Sequence, residues 1–369
     1  MIFSMKITFM TGLLLVCLTV MCASCSPEID IQNMDNNIEV GNMNSNIVDD
    51  DNRNNTVEGE LFTAQSTVGE VINDPAFGNF GHLLFPVDRN VPTSMTLSQV
   101  SSSNVYVWYS HISVDKTVEI LNFLKKESLS GNQIFFPIYS PEEIAADRSK
   151  ADTGLFRFSG KNGNPFAITN AGGGFAYVGA MHDSFPHSLE ISKNGYTAFA
   201  LIYRPDDPYN DLAQAITFIY DNAEQLGVKR EDYSLWGGSA GARMAATLGN
   251  SHYLYQLTGR SEIPQAAAVI MQYTGYSTVS RYDAPTYVCV GSNDGIASWR
   301  TMQYRLQQLA EMGIPTEFHV YDGLGHGFGL GIGTAAEGWI KDAIKFWQSN
   351  MKTDDTAGIP PVYADQRKM

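Results

Sequence analysis

The stretch Leu235-Trp236-Gly237-Gly238-Ser239-Ala240-Gly241 joins a short apolar run to an alanine-rich segment with a helical pattern. It contains the motif G-x-S-x-G, whose two glycines allow a turn so tight that a Cβ would clash. A strand–turn–helix of this kind exposes the serine hydroxyl and places the next N–H group at a helix N-terminus. The stretch therefore predicts Ser239 as a nucleophile, with the N–H of Ala240 aimed at a developing oxyanion.

Strand-like and helix-like patterns alternate on both sides of this turn. Apolar runs of strand length occupy residues 134–139, 155–158, 166–169, 197–203, 233–236, 267–272, 287–290 and 317–321. Helical patterns occupy residues 211–226, 240–248, 298–312 and 335–351. Because parallel strands are joined by crossover helices, this alternation predicts an α/β fold with a mostly parallel central sheet covered by helices on both faces.

A nucleophilic serine needs a base, and the base needs an acid that orients it. Asp294 follows the predicted strand 287–290 in a Gly-Ser-Asn-Asp-Gly turn, and His326 follows the last predicted strand in a glycine-rich loop. Their order after the serine, each behind a strand, predicts Asp294 as the acid and His326 as the base. Asp283 and Asp322 are rival acids, although Asp322 lies very close to His326 in the chain.

An oxyanion hole needs a second backbone N–H donor, and a glycine-rich loop can supply it. The loop Asn170-Ala171-Gly172-Gly173-Gly174-Phe175 follows the predicted strand 166–169. We expect Gly173 and Gly174 to donate N–H groups together with Ala240. A phosphate-binding loop is the alternative, but the Gly and Lys of a P-loop do not follow. The sequence has no HExxH motif, no Cys/His cluster and no dinucleotide fingerprint, so it implies no cofactor or metal.

In these residues and in their order, the chain resembles the α/β-hydrolase superfamily. It is most similar to bacterial acetyl-esterase and carbohydrate-esterase members of the acetyl xylan esterase type, over roughly residues 153–347. The resemblance implies a serine carboxylesterase with Ser239 as nucleophile, Asp294 as acid and His326 as base. One position departs from the pattern: Ala171 stands where hormone-sensitive-lipase-like members carry a histidine before the glycines. This weakens a lipase-like assignment more than it weakens esterase chemistry.

The N-terminus carries the marks of a targeting segment. Lys6 precedes an apolar run over residues 7–21, which is too short and too early for a stable membrane span. The run ends in Cys22-Ala23-Ser24-Cys25, and small residues before a cysteine are typical of bacterial lipoprotein signals. We therefore expect export, lipidation of Cys25 and attachment to a bacterial membrane. Cleavage near Ala23 or Ser24 followed by free secretion is the alternative.

Composition and local pattern divide the 369 residues into five parts. We expect a signal peptide (1–25), a disordered acidic Asn/Asp-rich tether (26–60) and an N-terminal extension or small subdomain (61–132). The extension has a predicted strand at 105–109 and a predicted helix at 113–126. The α/β catalytic domain (133–352) and a C-terminal tail (353–369) follow. The net charge of −15 argues against nucleic acid as a partner.

The expected activity is hydrolysis of short acyl esters, in particular acetyl esters, on sugars or plant polysaccharides. The substrate would be a small molecule or a polysaccharide, and membrane contact would come only from the lipid anchor. Three aromatic residues, Tyr177, Tyr273 and Trp299, are candidates for a sugar-stacking wall, with core packing as an equally good reading. A lipase, a peptidase of the same fold and a catalytically silent glycan-binding lipoprotein are the alternative functions.

Overall fold

The computed structural model describes residues 60–352. Its centre is an eight-stranded sheet with the strand order β1-β2-β4-β3-β5-β6-β7-β8. The strands are β1 (Phe135–Pro137), β2 (Gly154–Phe158), β3 (Phe166–Asn170), β4 (Thr197–Ile202), β5 (Ser234–Gly238), β6 (Ala268–Gln272), β7 (Thr286–Gly291) and β8 (Thr316–Tyr321). All eight correspond to the predicted apolar runs.

The direction of the strands determines where the loops meet. β2 runs antiparallel to β1 and β4, and every other neighbouring pair is parallel. The carboxyl ends of β3, β5, β6, β7 and β8 therefore lie at one edge of the sheet. Ser239, Ala240, Gly173, Gly174, Asp294 and His326 each follow one of these strands. The parallel strand pairs confirm the predicted α/β fold with its mostly parallel sheet.

Eleven α-helices accompany the sheet in the described part of the chain. α5 packs on β3 and β4 and contacts α11, whereas α8 packs on β5 and β6 and contacts α6. Trp236, Trp339 and Trp347 are fully buried between these layers. The helices are α1 (Val68–Ile72), α2 (Leu97–Ser101), α3 (Val114–Leu129), α4 (Pro141–Ala146), α5 (Ser184–Lys193), α6 (Pro208–Asp221), α7 (Ala223–Leu226), α8 (Ala240–Leu248), α9 (Ser251–Thr258), α10 (Trp299–Glu311) and α11 (Trp339–Ser349).

Several helices differ from the prediction at their ends. The predicted helix 211–226 begins earlier, at Pro208, and is interrupted at Asn222, whose side-chain amide donates to the Phe218 carbonyl at 2.8 Å. α11 begins only after Gly338, which has a φ of +92°. The sequence analysis missed α1, α2, α4, α5 and α9. α5 buries Ser184, Ser188 and other polar side chains, so its sequence lacks a clear apolar stripe.

The predicted strand at 105–109 was wrong, because these residues form turns instead. Val105 and Tyr106 are buried, and the Tyr106 ring contacts the His182 ring at a centroid distance of 4.1 Å. Trp108 has a φ of +75°, which no strand residue adopts. Tertiary contacts thus override the β-propensity of this aromatic and β-branched run.

Residues 60–132 carry helices α1, α2 and α3, and the long α3 packs on α5. The predicted helix 113–126 corresponds to α3, and Ser113 is its N-cap, whose side chain accepts a hydrogen bond from the N–H of Lys116 at 3.2 Å.

The five-part division of the chain stays a prediction. The signal segment, Cys25, the tether up to residue 59 and the C-terminal tail lie outside the described residues. Over residues 60–352, no helix has both the length and the apolarity that a membrane span requires.

A buried ion pair links α10 to the loop before β7. Arg305 Nη2 lies 2.8 Å from Asp283 Oδ2, and both side chains are almost fully buried. Asp283 also accepts a hydrogen bond from the Asn250 side chain at 2.6 Å. Removing one member would leave the other as an uncompensated buried charge.

We predict that Asp283→Ala lowers the free energy of unfolding by about 3–5 kcal/mol, because Arg305 then remains charged without its partner. Urea denaturation measures this change. The double variant Asp283→Ala/Arg305→Met should regain much of the loss, because it removes both buried charges. A single variant within about 1 kcal/mol of the wild type would contradict a stabilising role for the pair.

Candidate active site

Ser239 stands between β5 and α8 in a sharply bent backbone. Its φ is +51° and its ψ is −113°. A residue other than glycine is strained in this conformation and keeps it only where surrounding contacts hold the backbone. A Cβ on Gly241 would overlap the Asn170 carbonyl oxygen, and one on Gly237 would overlap Gly241. The N–H of Ser239 donates to the Gln272 carbonyl at the end of β6, at 2.9 Å. The turn is thus wedged between the ends of β3 and β6.

The structure brings the predicted base and acid to this serine. His326 Nε2 lies 3.0 Å from Ser239 Oγ, and His326 Nδ1 lies 2.8 Å from Asp294 Oδ2. The Asp294 side chain is fully buried and that of His326 is nearly so. The three residues come from the loops after β5, β7 and β8 and form one continuous chain of hydrogen-bonding distances.

The second oxygen of Asp294 is also held. Asp294 Oδ1 accepts hydrogen bonds from the N–H groups of Ile296 and Ala297, each at 2.8 Å, which fixes the orientation of the carboxylate.

The two rival acids, Asp322 and Asp283, have other partners. Asp322 accepts the Ser292 hydroxyl at 3.0 Å, and Asp283 belongs to the buried ion pair with Arg305.

The glycine-rich loop after β3 lies directly beside the serine. A Cβ on Gly172 would come within 2.9 Å of Ser239 Cβ, and Gly173 has a φ of +128° that favours glycine. The N–H of Gly172 donates to Asp183 Oδ2 at 2.7 Å. Within residues 60–352, the N–H groups of Gly173, Gly174 and Ala240 donate to no other protein group. They are therefore available to a ligand, as an oxyanion hole requires; their role stays a prediction.

Sequence reasoning missed a buried carboxylate beneath this site. Asp183, immediately before α5, is fully buried, and a Cβ on Gly238 would overlap its oxygens. Besides the Gly172 N–H, it accepts the Tyr109 hydroxyl at 3.0 Å and the Tyr273 hydroxyl at 3.3 Å. Burial raises the pKa of Asp183 to about 6, although these hydrogen bonds and His326 act in the opposite direction. No motif in the sequence marks this residue.

Tyr273 connects this carboxylate to the predicted base. It follows β6 directly, and its ring centroid lies 5.0 Å from that of His326. Burial and the charge of Asp183 keep the pKa of Tyr273 far above its usual value, so its hydroxyl stays protonated and donates. Tyr273 and Tyr177 are both fully buried, so neither can form an exposed sugar-stacking wall. Trp299, half-buried at the start of α10, leaves that prediction open.

Two buried histidines and a buried cysteine near the site are uncharged at neutral pH. Burial lowers the pKa of His182 and of His187 to about 3. Cys289 lies buried in β7, and burial raises the pKa of its thiol, as expected for an inert core cysteine. Within residues 60–352, no three His, Cys, Asp or Glu side chains converge as metal ligands.

Comparisons with known proteins agree with this architecture. The BD-FAE family model matches residues 158–286, a segment that includes Ser239 but ends before Asp294 and His326. An AB hydrolase superfamily protein of Schizosaccharomyces pombe is 27% identical over 183 residues. That match covers 45% of this chain and 53% of the relative, so the chain matches about half of that protein's length.

A solved structure shares this fold. An acetyl ester-xyloside bifunctional hydrolase from Caldicellulosiruptor lactoaceticus superimposes with a TM-score of 0.50 at 19% identity, covering 58% of this chain and 95% of that one. A thermophilic esterase of Thermogutta terrifontis gives a TM-score of 0.48 at 20% identity, covering 54% and 90% of the two chains.

The strand order, the glycine-flanked Ser239 in its bent turn and these comparisons show that the chain has the α/β-hydrolase fold. The predicted superfamily resemblance is therefore confirmed.

We predict that Asp183→Asn changes how stability depends on pH. A folded-state pKa of about 6, above the ordinary 3.8, means that the wild type loses stability as pH rises between these values. The asparagine variant does not titrate there. Its free energy of unfolding, relative to the wild type, should rise by up to roughly 3 kcal/mol from about pH 4 to about pH 7.

Urea denaturation of both proteins at several pH values measures this difference. Asp322→Asn is the matched control, because it neutralises an exposed carboxylate on the same edge of the sheet. The control should show no such trend. A difference between Asp183→Asn and wild type that is constant with pH, or that falls as pH rises, contradicts the raised pKa.

Proposed function

We propose that this protein is a serine carboxylesterase that hydrolyses short acyl esters through an acyl-enzyme intermediate. The observation that supports this most is the connected chain from Asp294 through His326 to Ser239, with distances of 2.8 and 3.0 Å. A histidine held on one nitrogen by a buried carboxylate and facing a serine with the other is the arrangement that activates serine for acyl transfer.

In the acylation step, Ser239 Oγ attacks the acyl carbon of the ester and its proton passes to His326 Nε2. The carbonyl π electrons move to the oxygen, which accepts hydrogen bonds from the N–H groups of Ala240, Gly173 and Gly174. Asp294 stabilises the imidazolium and keeps its Nδ1 proton in place. The tetrahedral intermediate then collapses, the bond to the alcohol oxygen breaks, and His326 gives that oxygen its proton.

Deacylation repeats these events with water. His326 takes a proton from the water as its oxygen attacks the acyl carbon, and the same three N–H groups hold the new oxyanion. Collapse returns the proton to Ser239 Oγ and releases the carboxylic acid. No step requires a group other than this chain's own residues and water.

We propose acetyl esters of sugars or of plant polysaccharides as the substrate class. Two features support a neutral substrate: the net charge of −15 and a site whose ionisable groups are already paired with one another. The structurally similar Caldicellulosiruptor lactoaceticus protein is described as an acetyl ester-xyloside hydrolase, which motivates testing the same ester type here.

We predict that Ser239→Ala abolishes hydrolysis of p-nitrophenyl acetate, with kcat falling on the order of 10⁵-fold or more, because the nucleophile is absent. Asp294→Asn should lower kcat by about 10⁴-fold, because it favours the wrong tautomer of His326. Release of p-nitrophenol measures both effects. Ser261→Ala, an exposed serine ahead of β6, is the matched control and should keep wild-type kcat. An active Ser239→Ala protein would refute the mechanism.

Acetate release from acetylated xylan tests the substrate class with the same variants. Release from xylan and from p-nitrophenyl acetate, both lost in Ser239→Ala, supports a carbohydrate-directed esterase. Release from the small ester alone would retain the mechanism and reject xylan as the substrate.

We further propose that the protein is exported and held at a bacterial membrane by lipidated Cys25. The support is sequence alone: Lys6, the apolar run 7–21 and the small residues before Cys25.

We predict that Cys25→Ala moves the full-length protein from the membrane fraction to the soluble fraction of a bacterial host, because no thiol remains at position 25 for acylation. Immunoblotting of separated fractions measures this, and Cys17→Ala, within the apolar run, is the control that stays with the membrane. A Cys25→Ala protein that remains in the membrane fraction excludes Cys25 as the anchor.

A further inference from the structure

Trp108 lies exposed where the N-terminal segment reaches the active site. Its surface is 46% exposed although it is a large apolar residue, and its φ is +75°. A bulky residue at positive φ is rare and persists only where surrounding contacts impose it. Contacts with neighbouring segments must therefore hold Trp108 in this conformation.

The backbone around Trp108 is tied to the loop that carries His326. The N–H of Ser110 donates to the Gly327 carbonyl at 2.9 Å, and the Ser110 hydroxyl donates to the His326 carbonyl at 2.9 Å. A Cβ on Gly327 would overlap the Trp108 carbonyl oxygen. The position of Trp108 is therefore fixed relative to the proposed base.

The indole ring lies against the glycine-rich loop on the other side of the site. A Cβ on Gly174 would stand 3.0 Å from Cζ3 of Trp108. The ring stacks on Tyr177 with a centroid distance of 6.1 Å and an interplanar angle of 18°. The Tyr177 hydroxyl donates to the Val107 carbonyl, which holds this backing ring in place. Trp108 is thus a rigid aromatic surface beside the proposed oxyanion hole.

Polar groups lie one aromatic ring away from this surface. The Arg89 guanidinium is 5.1 Å from the centroid of the Tyr177 ring and donates to the Asn104 carbonyl at 2.7 Å. An open groove of about 470 Å³ is lined there by Asp88, Arg89, Asn90, Met95, Ser103, Asn104 and Val105. A sugar ring needs a flat surface for its C–H face, which the Trp108 indole offers, and the groove beside Arg89 holds polar groups one ring further away.

We propose that Trp108 is a substrate-binding residue on which the ring of a sugar ester stacks while its acyl group lies at Ser239. This assignment rests on the proposed function and makes the substrate class more specific. Tyr177 and the two flanking loops hold the indole in place before the substrate binds, so little side-chain freedom is lost on stacking.

The test compares three esters in the full chain: an acetylated methyl β-xyloside, phenyl acetate and ethyl acetate. For Trp108→Ala and Trp108→Leu, we expect KM for the xyloside to rise about tenfold more than KM for ethyl acetate, because only the xyloside loses a stacked ring. Trp108→Phe should restore most of this preference, since it keeps a flat aromatic face. Tyr255→Ala, which removes an exposed aromatic on α9, is the matched control.

Three results would overturn the proposal. Equal losses on all three esters would show that Trp108 only supports the glycine-rich loop, and rescue by leucine would show that volume rather than an aromatic face matters. A loss confined to phenyl acetate would support stacking but assign it to an aryl group, which rejects the sugar.

A binding measurement separates this proposal from the proposed catalysis. Saturation-transfer NMR titration of the acetylated xyloside against Ser239→Ala, with and without Trp108→Ala, requires no turnover. About tenfold weaker binding in the double variant supports the stacking role even if the wild type hydrolyses no ester. Unchanged binding overturns the stacking role even if the wild type is an active esterase.

Discussion

The site depends on a close backbone contact between the end of β3 and the first turn of α8, the helix that follows β5. Gly241 lies so near the Asn170 carbonyl that no Cβ fits between them, and this contact holds the Ser239 turn against the glycine-rich loop. Because the two strands are parallel neighbours, with Asn170 paired to Gly237, the contact also fixes their register at the site. The strained φ of Ser239 persists because the sheet supports it from both sides.

Around this contact, the protein places two buried carboxylates with different surroundings. Asp294 is held by two N–H groups and His326, and it lies on the far side of the imidazole from the serine. Asp183 lies beneath the turn and joins the glycine-rich loop to Tyr109 and Tyr273. One carboxylate thus orients the proposed base, whereas the other connects the segments that surround it. Their different roles follow from position rather than residue type.

The N-terminal segment completes the site from outside the sheet. Ser110 contacts the histidine loop, Tyr109 reaches Asp183, and Trp108 lies against Gly174. A region with no recognisable motif therefore supplies three residues that contact the loops and the carboxylate around the nucleophile. In the described part of the chain, α3 packs on α5 and connects this segment to the core of the sheet. The proposed specificity of the enzyme consequently lies outside the segment matched by the BD-FAE family.

The eight strands of the sheet and the order of Ser239, Asp294 and His326 could be predicted from the residues alone, because apolar periodicity and glycine-rich turns are local signals. Parallel strands bring their carboxyl ends to one edge, so the convergence of these residues could also be inferred. The surroundings of Asp183 and Trp108, in contrast, are apparent only in the folded chain. No local pattern shows that an Asp before a helix will be buried and accept several hydrogen bonds. Nor does a Tyr-Val-Trp-Tyr run show that its tryptophan will take a positive φ and stay exposed. Their conformations come from distant partners at Gly172, Tyr273 and Gly327, and contacts across such sequence distances cannot be read from neighbouring residues.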